Sequence, residues 1–354
     1  MITPPLVFGI ESSCDDTACA LVDGAGRVLS SVVSSQVEPH RPFGGVVPEI
    51  ASRQHLGNWP AVSREALEKA GLELDAVDAV AATRGPGLVG CLLVGLSLGR
   101  AIAYGLGKPF HGLHHLEGHL YSPFLTLDGE PAADVPERFH GLVVSGGHTS
   151  LLEVDAGRVR SLIETRDDAM GEVFDKVGKR LGLAFPQGPK VDAAAEKGTT
   201  SKGRFKVSTP KDEVYFSYSG LKSQALREIE AIERAEEHVR TEHTVDTLGQ
   251  PALDLMADFR AAAVRQIVRR LEQVHRRDRI KTLAVSGGVA ANRLLRRELT
   301  AWADDVGVDL RLVPLRYSGD NAAMIAFAAV VRQRLGLGDD PRAAVVASRI
   351  PFGS

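Results

Sequence analysis

Four of the eleven histidines in the chain, His111, His114, His115 and His119, fall within nine residues. His115 and His119 are four apart, so on a helix their rings share one face and can hold one metal ion. Such a pair also occurs as plain structural packing, but the clustering favours a metal. The segment His115-Leu116-Glu117-Gly118-His119 is not the HExxH of zinc peptidases. Leu116 stands where that motif puts its general base, and Glu117 comes third. Late in the chain, Ser318-Gly319-Asp320-Asn321 opens a final helix. Asp320 there, taken alone, reads first as an N-cap, and it is also a candidate third ligand. As a ligand it completes a two-histidine, one-carboxylate face with positions left for substrate oxygens.

Two polar turns carry the next candidates. Glu11-Ser12-Ser13-Cys14-Asp15-Asp16-Thr17 lies between two strand-like runs. Its amides and hydroxyls suit a phosphate, whereas Asp15 and Asp16 repel one unless a cation intervenes, so they suit a metal shell or proton transfer. An ordinary Asp-rich hairpin reads the same way. Val144-Ser145-Gly146-Gly147-His148-Thr149 is the matching turn later on, where adjacent glycines admit an anion to the backbone and His148 can donate to a phosphate or carbamoyl oxygen. A tight glycine turn is the plainer account.

Two further segments suit a nucleotide. Val285-Ser286-Gly287-Gly288-Val289 followed by Asn292 is a strand, a glycine pair and a helix start, which together form an anion pocket. Asn292 is a candidate for a base edge or ribose, or a helix cap. Asp175, ahead of Pro186-Gln187-Gly188-Pro189-Lys190-Val191-Asp192, is a candidate ribose ligand with Gly188 allowing close approach; its bland role is an ion pair with Lys179. Basic residues gather at Arg265, Arg269, Arg270, Arg276, Arg277, Arg279 and Lys281, and at Lys202, Arg204 and Lys206. These form either an RNA-binding face or a solvated helix face.

The elements that must position these residues repeat. Strand-like runs at Leu6–Ser12, Thr17–Asp23 and Val28–Val37 precede a helix from Pro48 toward Gly71, with a break expected near Pro60. A strand at Ala76–Ala82, a turn at 85–87, an apolar helix over 88–105, a strand at 109–112 and the histidine-bearing helix complete the first half. The second half has strands at His140–Ser145, Ser150–Val154 and Val159–Ile163, then helices near 168–182, 219–235 and 252–275. A strand at Thr282–Val285, a helix from about 289, a strand at Asp309–Val313 and a helix from about 320 follow. The hairpins also match in residues: T-A-C-A-L-V-D, Gly24, A-G-R-V from Thr17 aligns with T-S-L-L-E-V-D-A-G-R-V from Thr149. The expectation is a duplicated β-β-β-α-β-α-β-α chain with a ligand cleft between its lobes. Leu127–Arg138 and Glu236–Gln250 read as surface loops.

Composition narrows the function class. With 354 residues, 44% hydrophobic and 25% charged, the chain has room for two globular domains. A net charge of −3 argues against a surface devoted to nucleic acid, and no DNA partner is expected. The cysteines, Cys14, Cys19 and Cys91, are odd in number and lack zinc-ribbon spacing, so they read as reduced thiols. The apolar stretch Leu88–Leu106 contains Arg100 and four glycines and reads as a buried helix rather than a membrane span. No signal-peptide pattern opens the chain, and a cytoplasmic location is expected.

Taken in order, these motifs resemble the TsaD family, also called Gcp. The resemblance runs through GIESSCDDTA at 9–18, GGVVPEIASRQH at 44–55, TRGPGLVG at 83–90, HLEGH at 115–119, VSGGHT at 144–149, FDKVGKRLGL at 174–183, VSGGVAANRLLR at 285–296 and YSGDNAAM at 317–324. It implies an α/β, duplicated, actin-like and sugar-kinase-like (ASKHA, ribonuclease-H-like) two-lobed fold. Lobe I would comprise 1–135 plus about 320–354, and lobe II 136–319. It implies transfer of threonylcarbamoyl from threonylcarbamoyl-AMP to N6 of adenosine 37, giving t6A in tRNAs that read codons beginning with adenine. His115, His119 and Asp320 would hold one divalent metal, Fe2+ or Zn2+. Val144, Ser145, Gly146, Gly147 and His148 would contact the phosphate and acyl part, while Asp175, Gly188, Asp192 and Asn292 would bind the nucleoside, where ATP or ADP analogues also fit. Asp15 and Asp16 match an acidic pair near the reacting centre, with Asp16 standing where Glu is frequent. Gln187 replaces a common Gly, which leaves that loop's geometry open. Implied partners are tRNA, a TsaB-like paralogue and a TsaE-like ATPase, with no membrane. The competing readings are a small-molecule kinase on the same superfold, a metallopeptidase, which Leu116 argues against, and a nucleotide-gated scaffold subunit.

Overall fold

The computed structural model describes residues 2–127, 129–201, 203–206, 214–236, 243–337 and 345–352. Its first sheet contains β1 (Val7–Glu11), β2 (Asp16–Val22), β3 (Val28–Ser35), β4 (Ala79–Gly85) and β5 (Phe110–His114), in the order β3-β2-β1-β4-β5. The second contains β6 (Arg138–Val144), β7 (Thr149–Asp155), β8 (Arg158–Glu164), β9 (Thr282–Ser286) and β10 (Asp309–Leu312), in the order β10-β9-β6-β7-β8. Read from β8, the second order reproduces the first. In both sheets the first three strands are antiparallel and the last two join the first in parallel. The duplication inferred from the two hairpins is therefore present in the sheet topology.

The helices are α1 (Val37–His40), α2 (Pro48–Ala70), α3 (Val89–Leu106), α4 (His115–Tyr121), α5 (Met170–Arg180), α6 (Gly188–Lys197), α7 (Ser219–Glu236), α8 (Gln250–Asp278), α9 (Arg293–Val306) and α10 (Ala322–Arg334). Pro48 takes the first turn of α2, and Gly71 ends it in the left-handed conformation at φ 65°. The break expected at Pro60 does not occur. Ala51 and His55 before Pro60 and Val62 and Ala66 after it are all buried, and this packing holds the helix continuous despite the roughly 3 kcal/mol that an interior proline costs. Strand β4 starts at Ala79 rather than 76, because Leu74–Ala76 form a 3-10 turn. A 3-10 turn at Gly288–Ala291 likewise delays α9 to Arg293. Helix α6 was not foreseen, since the Pro-Gln-Gly-Pro run reads as loop; Pro189 lies in its first turn, where no N–H is needed. Among the described residues, the second half thus has four helices between its third and fourth strands. Residue 128 and residues 237–242 of the two expected loops lie outside the described residues, as does Lys202.

Helix α3 is half-buried, not buried. Gly95 and Gly99 bring it onto the first sheet: a Cβ at Gly95 would lie 2.2 Å from Ser12 Oγ, and one at Gly99 2.9 Å from the Phe110 ring. Its other face leaves Val89, Leu93 and Tyr104 exposed. It is the one helix among the described residues long and apolar enough to cross a membrane.

The two helices carrying the metal-ligand candidates exchange sheets. Helix α4 follows β5 yet packs on β6 and β9, and α10 follows β10 yet packs on β1 and β2. Small residues permit both approaches. A Cβ at Gly9 would meet the Ala322 carbonyl at 2.5 Å, and one at Gly141 would meet Leu120 at 2.1 Å. Helices α4 and α10 also touch each other, with Gly118 against Ile325 and Met324. A run from Ala322 to Val331 is buried on every side, as a helix between two sheets must be.

Candidate active site and metal centre

Helix α4 presents His115 and His119 one turn apart, their rings 4.8 Å apart and near perpendicular. The loop into α10 delivers Asp320 to them: its Oδ1 lies 3.2 Å from His119 Nε2 and 3.5 Å from His115 Nε2. Capping is not its job. Asn321 caps α10, accepting from the Met324 amide at 3.0 Å, so the Asp320 carboxylate is left to the imidazoles. Glu117 faces away from the ring pair and joins Arg332 of α10 at 3.2 Å. That ion pair and the Gly118 contact together fix the spacing between the imidazoles and the aspartate, which are 201 residues apart in the chain. The other clustered histidines are structural: His111 bonds Gln333, while His114 accepts the Leu116 amide as N-cap, donates to the Ile350 carbonyl and stacks on Phe352.

Behind His115 sits Glu11, the last residue of β1 and fully buried. Sequence reading recorded it as part of the turn but gave it no role; the available signal is an acid ending an otherwise apolar strand. Burial by itself lowers the His115 pKa, but Asp320 and Glu11 outweigh it and hold the ring's value at about 9. Asp320 is held well below the usual carboxylate range: burial opposes this, but the His115 charge and the hydrogen bond from His119 prevail. Two carboxylates closing on imidazoles make a position that favours positive charge, and the donor set suits a divalent ion. A second group of ligand types, His140, Glu153 and Asp278, lies at the other end of the second sheet. Arg138 and Arg160 already neutralise Glu153 there.

The acidic turn is braced from α2. His55 accepts from Thr17 Oγ1 at 2.8 Å through Nδ1 and donates to the Cys14 carbonyl at 3.0 Å through Nε2. This gives the GGVVPEIASRQH segment a purpose that was not read from sequence. Asp16 has a pKa pushed up to about 7 by burial, then by the charges of Asp320 and Asp15. Its Oδ1 is buried without a hydrogen-bond partner. The cysteines Cys14, Cys19 and Cys91 are free thiols.

Facing this is the β6–β7 turn. Ser145 and His148 close it on themselves, the Ser145 amide donating to the His148 carbonyl at 2.8 Å. Gly146 and Gly147 border open space on the side where a Cβ would project, as does Gly288. Val144 is buried, so only its backbone lies near the turn; a Cβ on Gly287, whose φ is 92°, would meet the Val144 carbonyl at 2.3 Å. Burial, then the charges of His115 and His119, lower the His148 pKa to about 4, so the ring is neutral near pH 7. His148 thus lies within electrostatic range of the metal-ligand candidates.

The nucleoside candidates form two groups. Asp175 Oδ1 accepts from the Gly188 amide at 2.7 Å and the Gln187 amide at 3.2 Å, at the start of α6. Lys179 reaches instead to the Gly44 carbonyl. Gln187 is buried with φ −85° and ψ −36°, an ordinary right-handed conformation, so this position needs no glycine. Asn292 caps α9 through the Leu295 amide and also donates to Asp192 Oδ1 at 2.6 Å, a contact spanning 100 residues. Arg260 holds the same Asp192 oxygen at 2.9 Å. The basic set needs one correction: Arg270 is buried, donating to the Tyr215 carbonyl and Gln273, whereas Arg265, Arg269, Arg276, Arg277, Arg279 and Lys281 are exposed.

Comparison with known proteins is decisive. A family model described as "TsaD: tRNA N6-adenosine threonylcarbamoyltransferase" matches residues 27–327. A tRNA N6-adenosine threonylcarbamoyltransferase of Pelobacter propionicus is 47% identical over 325 residues, covering 91% of this chain and 90% of its own. The Paramagnetospirillum magneticum enzyme is 44% identical over 339 residues, covering 95% and 94%. The chain belongs to the TsaD family. As a TsaD protein it is an acyltransferase that forms t6A at position 37 of tRNA by threonylcarbamoyl transfer. Solved structures share the fold of the TsaD chain. Full-length HypF in its phosphate- and nucleotide-bound form matches with a TM-score of 0.59 at 12% identity, over 97% of this chain and 48% of that one. Component A of the Acidaminococcus fermentans (R)-2-hydroxyglutaryl-CoA dehydratase matches with 0.51 at 14%, over 94% and 99%. At such identity the likeness concerns the fold.

Proposed function

We propose that this chain performs its transfer at the junction of the acidic turn, the α4 histidine pair and the glycine turn of the second half. The observation that carries this reading is the approach of Asp320 to both His115 and His119, on the side where His148 feels their charge. In this reading N6 of adenosine attacks the carbamoyl carbon of threonylcarbamoyl-AMP. The bond from that carbon to the phosphate oxygen breaks, and AMP leaves with the electron pair. Asp16 takes the proton that the amine loses, assisted by its raised pKa, and Asp15 is the alternative acceptor. Amides of Gly146 and Gly147, the open backbone after Val144, and the neutral His148 ring support the developing oxyanion and the leaving phosphate, in a turn that Ser145 and His148 hold closed. Asp175 and Gly188 orient the ribose of the adenylate, and the Asp192–Asn292 pair faces its base. His115, His119 and Asp320 would hold one divalent cation, Fe2+ or Zn2+, which supplies Lewis-acid polarisation and a template for phosphate and carbamoyl oxygens.

The lobes are assigned as 1–135 with 320–354 and as 136–319, the adenylate lying between them. Exposed arginines of α8 are the proposed tRNA contact, and a TsaB-like paralogue and a TsaE-like ATPase the proposed helpers in the cytoplasm. The test is incubation with threonylcarbamoyl-AMP and unmodified tRNA, with and without those proteins, followed by nucleoside mass analysis. Product t6A is expected; adenylate binding with no t6A in the complete mixture would instead mark a scaffold subunit.

A further inference from the structure

We propose that Glu11 is the positioning residue of the metal centre: a buried carboxylate that keeps the His115 proton on Nδ1, aims Nε2 toward Asp320 and sets the local charge for a dication. Its own geometry is fully specified. Oε1 accepts the Ser13 amide at 2.5 Å, and Oε2 accepts the Thr83 hydroxyl at 2.6 Å. The same Oε2 lies 3.2 Å from His115 Nδ1. Ser13 Oγ lies at the same 3.2 Å from Nδ1, but an ionised carboxylate has no proton to give, so toward Glu11 Nδ1 is the donor, and a neutral ring then carries its lone pair on Nε2. Nε2 is the atom that faces Asp320, 3.5 Å from Oδ1.

The arrangement is one-sided. Nδ1 of His119 is buried without a hydrogen-bond partner, so only His115 has a charged brace. With a cation bound and both rings serving as neutral ligands, the two carboxylates that touch the imidazoles, Glu11 and Asp320, carry two negative charges, which one divalent ion balances. Partners of this kind fix ring orientation and raise ligand basicity. Glu11 projects from the end of β1 and Thr83 from neighbouring β4, so the brace is built into the sheet.

This inference rests on the metal reading above, and the experiment separates the two. Zn2+ affinity of the full-length protein is measured by competition with a chromophoric chelator, with Co2+ absorption reporting geometry. Glu11→Gln keeps the size and an acceptor oxygen but loses the charge. It is expected to weaken Zn2+ binding about 10–100-fold, the usual cost of losing such a partner, and to shift the Co2+ bands. Transfer by this variant should recover at saturating Zn2+ with KM for tRNA unchanged. Thr83→Val, which loosens Glu11 without touching a ligand, should weaken binding less, and Thr83→Ser should restore it. If Glu11→Gln does not fold, the Thr83 pair decides. Wild-type Zn2+ affinity in the folded variants overturns the role of Glu11. Wild-type affinity in His119→Ala overturns the metal centre itself.

Discussion

The turn between β1 and β2 and the turn between β6 and β7 occupy equivalent places in two sheets of equal strand order, yet their side chains differ in kind. The first carries Glu11, Asp15 and Asp16 and is braced by His55 and Thr83. The second carries Gly146 and Gly147 and is closed only by Ser145 and His148. One position in the repeated strand order therefore serves two purposes. Where the side chains are acidic, the turn suits a cation and a proton; where they are missing, the amides are left to an anion. The repeated strand order supplied the frame, and differing side chains gave the two turns opposite character.

The largest expected effect comes from removing the carboxylate that joins the two halves. Asp320→Ala should lower t6A formation by about 10³-fold or more in nucleoside mass analysis. Its circular dichroism should match wild type, because Asn321 rather than Asp320 caps α10. An unchanged turnover number would remove the cation from the mechanism.

The contrast between the turns can be tested by making the second acidic. Gly147→Asp has open space in which to project, so it should fold. The new charge should repel the adenylate phosphate and raise its KM by about 10–100-fold, roughly 1.4–2.7 kcal/mol. An unaltered KM would mean that the glycine turn does not contact the phosphate.

The acidic turn should show itself in pH dependence. Asp16, with a pKa of about 7 in the folded chain, is ionised above that value, so kcat should rise as pH passes through 7, and Asp16→Asn should lose that limb. The sign for stability is the opposite. A carboxyl whose folded pKa is raised favours the fold while protonated, and that advantage is lost as pH rises from about 4 through 7. Asp16→Asn should therefore melt above wild type at pH 8 and near it at pH 4.

The smallest effect belongs to the outer face of the second half. Arg276→Ala should leave the melting temperature within error and reduce the salt slope of tRNA binding by about one. Arg270→Ala, on the same helix but buried against Tyr215, should instead destabilise the fold. Equal behaviour of the two would contradict the separation of structural from RNA-facing arginines.

Short-range patterns in the chain alone determined the two hairpins and their repeat, the i,i+4 histidine pair, the glycine turns, and the start and end of α2 at Pro48 and Gly71. Each follows from spacing or backbone preference over a few residues. Tertiary packing decided what those patterns left open. It brought Asp320 to the His115–His119 face, because α4 crosses to the other sheet and turns that face toward α10. It gave the cap to Asn321 and the imidazoles to Asp320, kept α2 whole through Pro60, buried Arg270, and paired Asn292 with Asp192 across 100 residues. The physical reason is the same in each case: local sequence defines which faces a segment offers, but a side chain's partner is set by what long-range packing brings against that face.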